Sequence, residues 1–371
     1  MKRIGFLTLL LCTFLTSAAW LRAGPKLKIT KFNVSDAGTR NGQGTFPISI
    51  NSRGAIAGYY IDSSGVLHGF LRSAKGSITT FDAPGWGSRA RHGTAGYSLN
   101  SKGEIAGYYI DSSNALHGFL RAAGGTFTEI DAPDAGTGVS QGTAALSINS
   151  GGTIMGTYTD SDGVAHSFER ATDGTITEFS AKGAGKLSGQ GTYGAYNDGI
   201  NDAGAIPGTY LDSKNVYHSF VRAPNGVITK FKVPGAGTGA YQGELVSGIN
   251  KGGAILGQYI DSSNVYHGFL RAADGTITKF DVVGGGTGYL QGTEPANINT
   301  SGATTGQYID AKGVNHGFFR VSGGTITKFN VSGAGKTSGQ GTIPISNNVA
   351  DAITGYYIDS RNVYHGFLLT Q

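Results

Sequence analysis

A phrase with an aspartate and a histidine six residues apart recurs along this chain of 371 residues. Residues 259–271 read YIDSSNVYHGFLR, and close variants begin at Tyr60, Tyr109 and Tyr210. Successive histidines of the phrase are 49 residues apart, except for one interval of 52 between the third and fourth copies. Self-similarity at a fixed spacing of this size is typical of repeat architectures. The sequence therefore predicts one array of similar structural units.

Each copy contains four short runs with the composition of β-strands. In the first copy they cover residues 47–51, 55–62, 67–73 and 77–83, and turn-forming residues separate them. Glycine is abundant, at 63 residues, and follows no three-residue period, which fits many tight turns and excludes collagen. Four antiparallel strands in about 50 residues are typical of a β-propeller blade.

The two ends of the chain predict how the array closes. The seventh copy reaches Gln371 after its third run, and a matching fourth run stands near the start of the chain, from Ile29 to Phe32. If this N-terminal strand completes the blade of residues 342–371, the ring has no open end. We therefore predict an all-β fold, a single seven-bladed β-propeller of ~49-residue repeats over residues 24–371.

The first 23 residues have the pattern of a secretory signal peptide. Lys2 and Arg3 precede an apolar run that is too short to span a membrane, and small residues follow it. Removing residues 1–23 takes three of 29 basic residues and no acidic one, which leaves 26 against 24, a net charge of +2. No basic run remains, so we expect no nucleic-acid partner. We expect a secreted protein, extracellular or periplasmic, that has no membrane span after cleavage and is a monomer.

Two motifs resemble the HAF family of bacterial extracellular repeats. One is I-N-x-x-G-x-I-x-G, at residues 50–58 and 249–257, and the other is an H-x-F triplet such as His68-Gly69-Phe70. The resemblance covers nearly all of the chain after the predicted signal peptide. It implies secretion and a repeat architecture, and it implies no particular activity.

The repeated aspartate and histidine are expected to form structural pairs. With Asp62 opposite His68 in a hairpin, Tyr60 would face Phe70 and Gly58 would face Arg72, all on one face of the sheet. Tyr–Phe pairs would then pack between blades. Two ligands per blade are too few for a metal site, and an active site is normally unique. We expect no metal and no cofactor. The pairs are Asp62–His68, Asp111–His117, Asp160–His166, Asp212–His218, Asp261–His267, Asp310–His316 and Asp359–His365.

The long links between blades are the first candidate ligand site. They are predicted to lie on the same rim as the hairpin turns and to display six glutamines: Gln43, Gln141, Gln190, Gln242, Gln291 and Gln340. Five tyrosines lie near them in the sequence: Tyr217, Tyr241, Tyr266, Tyr289 and Tyr364. Amides beside aromatic rings suit the hydroxyls and C–H faces of sugars. The alternative is that the glutamines satisfy main-chain groups of glycine-rich links.

One link departs from the pattern and is the second candidate site. It reads PGWGSRARHGT and contains Trp86, Arg89, Arg91 and His92, with His92 in the position of the glutamines. This concentration of cationic and aromatic side chains suits an anionic group such as an acidic sugar. The alternative is neutral drift in a solvated loop.

Three classes of function remain open on the sequence alone. The first is a non-enzymatic binding or interaction protein that recognises a polysaccharide or a surface protein through one rim. The second is a polysaccharide lyase or hydrolase with a single site at the channel mouth. Its candidate residues are Arg89, Arg91 and His92 of the odd link, and no pair of acidic catalytic residues can be assigned. The third is a purely structural envelope protein.

Overall fold

The computed structural model describes residues 27–195 and 198–371. The predicted signal peptide lies outside these residues. The described part of the chain is all-β, with 28 strands and no helix. The prediction of an all-β repeat fold is therefore confirmed.

The strands form seven antiparallel units of four strands each. Unit 1 contains β2 (Gly44–Ile50), β3 (Ile56–Ile61), β4 (Leu67–Arg72) and β5 (Ile78–Phe81). Unit 2 contains β6 (Gly93–Leu99), β7 (Ile105–Ile110), β8 (Leu116–Arg121) and β9 (Phe127–Ile130). Unit 3 contains β10 (Gly142–Ile148), β11 (Ile154–Thr159), β12 (Ala165–Arg170) and β13 (Ile176–Phe179).

The remaining units repeat this order. Unit 4 contains β14 (Gly191–Gly194), β15 (Ile206–Leu211), β16 (Tyr217–Arg222) and β17 (Ile228–Phe231). Unit 5 contains β18 (Gly243–Ile249), β19 (Ile255–Ile260), β20 (Tyr266–Arg271) and β21 (Ile277–Phe280). Unit 6 contains β22 (Gly292–Ile298), β23 (Thr304–Ile309), β24 (Asn315–Arg320) and β25 (Ile326–Phe329). Unit 7 contains β26 (Gly341–Asn347), β27 (Ile353–Ile358), β28 (Tyr364–Thr370) and, from the start of the chain, β1 (Lys28–Phe32).

The units are joined into a closed circuit. A single parallel bridge links the third strand of each unit to the first strand of the next, as in Leu67 to Gly93. The bridge from Tyr364 to Gly44 joins unit 7 to unit 1. Three strands of each unit therefore lie in a circuit of 21 strands, and the fourth strand lies outside it. First strands of neighbouring units contact one another, which places them around the axis.

Packing between units rests on phenylalanines. The phenylalanine of each H-x-F triplet is at most 1% exposed. Phe70 of unit 1 meets Phe32 of unit 7 edge-to-face, with ring centroids 6.4 Å apart, and equivalent pairs join most other units. Edge-to-face rings add about 1 kcal/mol beyond the burial of their area. The expectation of Tyr–Phe pairs between blades is thus corrected, since each repeated tyrosine instead stacks on the histidine of its own unit.

The hairpin register differs by two residues from the predicted one. Tyr60, not Asp62, lies opposite His68, and Gly58 lies opposite Phe70. The reason is the turn, which is closed by the N–H of Asp62 bonding to the carbonyl of Val66 and so places Asp62 outside the ladder. A shift of two residues leaves every side chain on its predicted face because side chains alternate with a period of two. A Cβ on Gly58 would overlap the carbonyl of Phe46, so the glycine permits the close approach of β2 and β3.

In residues 27–195 and 198–371 the structure has no helix that is long and apolar enough to span a membrane.

Candidate functional site

The repeated aspartates hold the hairpin turns. Asp62 Oδ1 accepts hydrogen bonds from the N–H groups of Ser64 and Val66, both at 2.8 Å. The same two bonds recur in the other six units. The second carboxylate oxygen faces the histidine, at 3.7 Å from His68 Nε2. Each aspartate therefore ties its turn to the third strand.

The repeated histidines are held on two sides. Each imidazole stacks on the tyrosine opposite it, with ring centroids 4.8–5.0 Å apart. In unit 1 the other ring nitrogen, Nδ1 of His68, lies 3.0 Å from Asp82, and in unit 3 Nδ1 of His166 lies 2.8 Å from Ser180. These contacts are internal to a unit, and they favour the structural interpretation of the aspartate–histidine pairs.

The electrostatics of the turns follow from these contacts. Burial by itself would raise the pKa of Asp310, but hydrogen bonds from the N–H of Val314, from His316 and from the N–H of Lys312 outweigh it and lower that pKa. The pKa values of Asp160, Asp212, Asp261 and Asp359 are lowered by the same balance. These carboxylates are ionised and already paired within the chain, so no free acid or base faces a ligand here.

One cluster brings three groups that can ligate a metal within 4.8 Å of one another: His117, Glu129 and Asp131. Glu129 and Asp131 are exposed, and Glu129 accepts a hydrogen bond from the hydroxyl of Tyr109. Among the described residues the arrangement is found only in unit 2. Five other units have lysine or threonine in place of Glu129, and unit 3, which keeps Glu178, has Ser180 in place of Asp131.

The glutamines of the links are not displayed to solvent as the sequence predicted. The side-chain oxygen of Gln43 accepts the N–H of Arg40, and its amide nitrogen donates to the carbonyl of Ser63 in the hairpin turn. The other five glutamines repeat this pair of contacts, some with an asparagine side chain of the turn as acceptor. Gln190 is only 3% exposed. The glutamines therefore support the glycine-rich links, which was the alternative interpretation.

The four residues of the odd link do not form one exposed group. Trp86 is partly buried and packs edge-on against His68, with ring centroids 5.4 Å apart. His92 is 3% exposed and places Nε2 at 2.8 Å from Asn114 Oδ1. Only Arg89 and Arg91 extend to the surface. The predicted combination of cations with aromatic rings is thus split between the interior and the surface.

A third group of residues, which the sequence analysis missed, lies on one face of each unit's sheet, where neighbouring units meet. It is formed by three positions of each unit: the third residue of the first strand, the fourth of the second strand and the first of the third strand. We call the region that they line the mouth. Unit by unit they are Phe46, Tyr59, Leu67; Ala95, Tyr108, Leu116; Ala144, Thr157, Ala165; Tyr193, Thr209, Tyr217; Leu245, Gln258, Tyr266; Glu294, Gln307, Asn315; and Ile343, Tyr356, Tyr364.

The copies differ strongly at these positions. Gly58, Tyr60 and His68 recur in every copy, whereas the mouth positions beside them range from alanine to tyrosine and glutamate. Phe46 stacks on Tyr59 at 4.8 Å and contacts Tyr364 of unit 7 at 4.4 Å, so the positions of neighbouring units meet. The signal that could have found them is variation at fixed positions of an otherwise constant repeat.

A cavity of about 450 Å³ opens in the mouth between units 4 and 5. Its walls include Tyr193, Tyr217, Tyr241, Gln258 and Ser247. The Ser247 hydroxyl donates to the carbonyl of Pro295 at 2.7 Å and can still accept a hydrogen bond. Tyr217 and Tyr241 have ring centroids 6.4 Å apart. Two of the five tyrosines that the sequence singled out therefore line the same cavity. Tyr241 belongs to a link and is 58% exposed.

One carboxyl group of the mouth positions adjoins this cavity in the chain without lining it. Glu294 is in unit 6, two residues before Ala296 of the cavity wall, and it accepts a hydrogen bond from the Gln307 amide. Burial raises the pKa of Glu294 above its usual range, against the lowering effect of that bond. Burial, with smaller contributions from Glu294 and neighbouring tyrosines, raises the pKa of Tyr266 to about 12. The mouth therefore combines neutral phenols with one carboxyl group.

The opposite end of the axis is closed by a ring of asparagines. The side-chain Nδ2 of each donates to the main-chain carbonyl of the next, at 2.8–3.4 Å, and the last bonds back to the first. The members are Asn51, Asn100, Asn149, Asn201, Asn250, Asn299 and Asn348. They line a polar hollow of about 480 Å³. The asparagine of the I-N-x-x-G motif is therefore a structural joint between units.

Comparison with known proteins identifies a similar fold and no relative by sequence. No protein-family model matches the chain, and no curated protein matches it. Among solved structures, a lectin from Burkholderia pseudomallei matches with a TM-score of 0.52 at 12% identity, covering 89% of this chain and 94% of the lectin. A variant of puromycin hydrolase complexed with PGG matches with a TM-score of 0.51 at 10% identity. That match covers 87% of this chain and only 50% of the hydrolase, so the chain spans half of that enzyme's length.

Proposed function

We propose that this protein is a non-enzymatic carbohydrate-binding protein whose ligand enters the mouth. In this proposal the seven units are the blades of one seven-bladed β-propeller, and the closed circuit of strands makes the mouth a rigid opening. The observation that carries the proposal is the cavity between units 4 and 5. Three tyrosines, one glutamine amide and one serine hydroxyl converge there on a space large enough for a sugar residue.

The chemistry of the cavity walls favours a sugar over an apolar ligand. Aromatic rings pack against the C–H face of a pyranose, while amide and hydroxyl groups bond to its hydroxyls. The exposed ring of Tyr289 on the next link extends the aromatic surface beyond the cavity, which suits a chain longer than one residue. The similarity in fold to a protein named as a lectin is compatible with this proposal.

Binding fits the mouth better than hydrolysis does. Glycoside hydrolysis by the usual mechanism needs two carboxyl groups on either side of the scissile bond. Glu294 accepts a hydrogen bond from Gln307. The causes of its raised pKa include no second carboxylate, so a paired acid is not seen beside it. We further propose that the protein is secreted, as the signal-peptide pattern and the resemblance to HAF repeats imply, and that it meets a cell-surface or extracellular polysaccharide.

The experiment exploits one position that recurs in all seven links. The residue before each glutamine, or before His92, has a positive φ, and it is glycine in three links. Tyr241 occupies this position with a φ of 61°, and Arg91 of the odd link occupies it with a φ of 70°. Tyr241→Gly therefore removes one cavity wall without backbone strain, and Arg91→Gly makes the same backbone change in the rival site.

Glycans found by array screening would be titrated calorimetrically into wild type and both variants. The proposal expects Tyr241→Gly to weaken binding by about tenfold or more, as the loss of one stacking ring predicts, and Arg91→Gly to leave binding unchanged. Binding lost only with Arg91→Gly would transfer the site to the odd link. Failure of every glycan to bind would refute carbohydrate recognition.

A further inference from the structure

We infer that the mouth selects a sugar with a free, positively charged amino group, a hexosamine unit, and that Glu294 is the residue that recognises it. This inference deepens the proposed function and rests on it. The starting observation is a difference between units at one position. The third residue of the first strand is uncharged in six units and is a glutamate only in unit 6.

The immediate surroundings of Glu294 include an acceptor that has no donor. Gln307 donates its amide nitrogen to the Glu294 carboxylate. The side-chain oxygen of Gln307 is buried and has no hydrogen-bond partner in the structure. A buried acceptor without a donor lowers the stability of the folded protein. A ligand group that brings several N–H donors would satisfy both the carboxylate and this oxygen, and an ammonium group has three.

Aromatic rings beside Glu294 favour the same kind of ligand group. Tyr266 forms a parallel bridge with Gly292, two residues before Glu294 and on the same side of strand β22. Tyr217, a wall of the cavity, lies near Tyr266, since it contributes to the raised pKa of Tyr266. Cations bind favourably over tyrosine rings, and the attraction is larger where water is displaced. Carboxylate, amide oxygen and phenol rings together complement an alkylammonium group.

The carboxylate also argues against the acidic sugar that the odd link suggested. A second negative charge brought beside Glu294 in a partly buried site would be repelled. A neutral sugar would leave the charge of Glu294 desolvated without a counter-ion. A protonated hexosamine compensates that charge and retains a pyranose face for the tyrosines.

The test compares two oligosaccharides of equal length, one of glucosamine and one of N-acetylglucosamine. Acetylation removes the charge but also adds an acetyl group, so a variant that removes only the opposite charge on the protein is needed to separate the effect of charge from that of size. Calorimetric titration at neutral pH is expected to give at least tenfold tighter binding of the glucosamine oligomer to the wild-type protein. Glu294→Gln, which keeps the size and a hydrogen-bonding oxygen, is expected to abolish that preference.

A matched control is available in the same fold. Glu244 is also partly buried with a raised pKa, but its carboxylate accepts the N–H of Val233 and lies outside the mouth positions. Glu244→Gln should therefore keep the preference for glucosamine. Thermal unfolding of both variants would confirm that each is folded.

The outcomes separate this inference from the proposed function. Equal binding of both oligomers, with both weakened by Tyr241→Gly, would refute amine recognition and leave carbohydrate binding in place. A preference that survives Glu294→Gln would refute the assigned residue. Choline serves as a third ligand, and choline binding as tight as that of the glucosamine oligomer would show a general ammonium site and refute hexosamine selectivity. No binding by either oligomer would refute the inference, and failure across the wider glycan array would refute the proposed function as well.

Discussion

Replacing one asparagine of the ring at the end of the axis tests whether the hydrogen bonds of that ring stabilise the contacts between units. Asn51 Nδ2 donates to the carbonyl of Asn100 at 3.0 Å, and Asn51 Oδ1 accepts the N–H groups of Arg53 and Ala55, both at 3.0 Å. The side chain is 6% exposed, so water does not replace these bonds freely. Asn51→Ala removes all three.

The expected loss follows from the net value of a hydrogen bond. At about 1 kcal/mol each, three bonds contribute about 3 kcal/mol to the free energy of unfolding. The carbonyl of Asn100 keeps a second bond from the N–H of Gly103, so no large penalty for an orphaned acceptor is added. With an unfolding entropy of about 2.1 cal/mol/K per residue, a chain of this length would lose about 4 °C in Tm.

A second substitution separates the ring bond from the turn bonds. Asn51→Asp keeps the oxygen that accepts from Arg53 and Ala55 but replaces the donor that faces the carbonyl of Asn100. We expect a loss of about 1 kcal/mol for the missing bond, with a further loss from repulsion between the carboxylate and that carbonyl oxygen. Ser52→Ala, at the exposed neighbouring residue, is the control and should change stability by less than about 0.5 kcal/mol.

The assay is urea unfolding followed by far-UV circular dichroism, with Tm as a second readout. An Asn51→Ala variant as stable as the Ser52→Ala control would contradict the reasoning altogether. An Asn51→Asp variant as stable as wild type would show that the turn bonds account for the whole effect and that the ring does not stabilise the contact between units.

Three further predictions concern the repeated contacts. Asp261→Ala loses two hydrogen bonds from main-chain N–H groups, at 2.8 and 2.9 Å, and should lower the free energy of unfolding by about 2 kcal/mol. His267→Ala keeps these turn bonds and should have about half that effect. Equal urea midpoints for the two variants would contradict this. His92→Gln should stabilise the protein by about 0.5–1 kcal/mol, since Nδ1 of His92 is buried without a partner and glutamine fits this position in the other links; a lower Tm would count against it. The lowered pKa values of five turn aspartates mean that the stability they contribute is fully present above the unfolded-state pKa, about 3.9, and is lost as pH falls through their folded-state values; an unchanged urea midpoint between pH 6 and pH 3 would refute this.

Much of the fold was predictable because the sequence contains seven copies of one pattern. The four strand runs of the first copy correspond to β2–β5 within a few residues at each end, where sequence boundaries are least defined. The run from Ile29 to Phe32 was recognised from its place in the repeat, and it pairs with β28 in the structure. Hydrophobic alternation and turn residues act over a few residues, so they are visible in the sequence.

The site was less predictable because the residues that recur in every copy have local structural roles, whereas the residues of the mouth vary from copy to copy. Gln43 and its equivalents recur for a local reason, the support of glycine-rich links, and their amides are used inside the chain. His92 and Trp86 looked like an exposed group because adjacent letters do not reveal which side chains turn inward. Tyr193, Gln258 and Glu294 are far apart in the sequence and gave no motif.

The sequence by itself determined the unit: four strands, a turn held by aspartate, and a histidine on the third strand, repeated at 49 residues. These features depend on contacts between residues that are close in the chain, and the same residues recur in each copy. Only the tertiary structure decided which side chains of different units meet. The mouth is assembled from three positions of each unit, and the meeting of units 7 and 1 depends on the closure of the circuit between Tyr364 and Gly44, which no single repeat encodes.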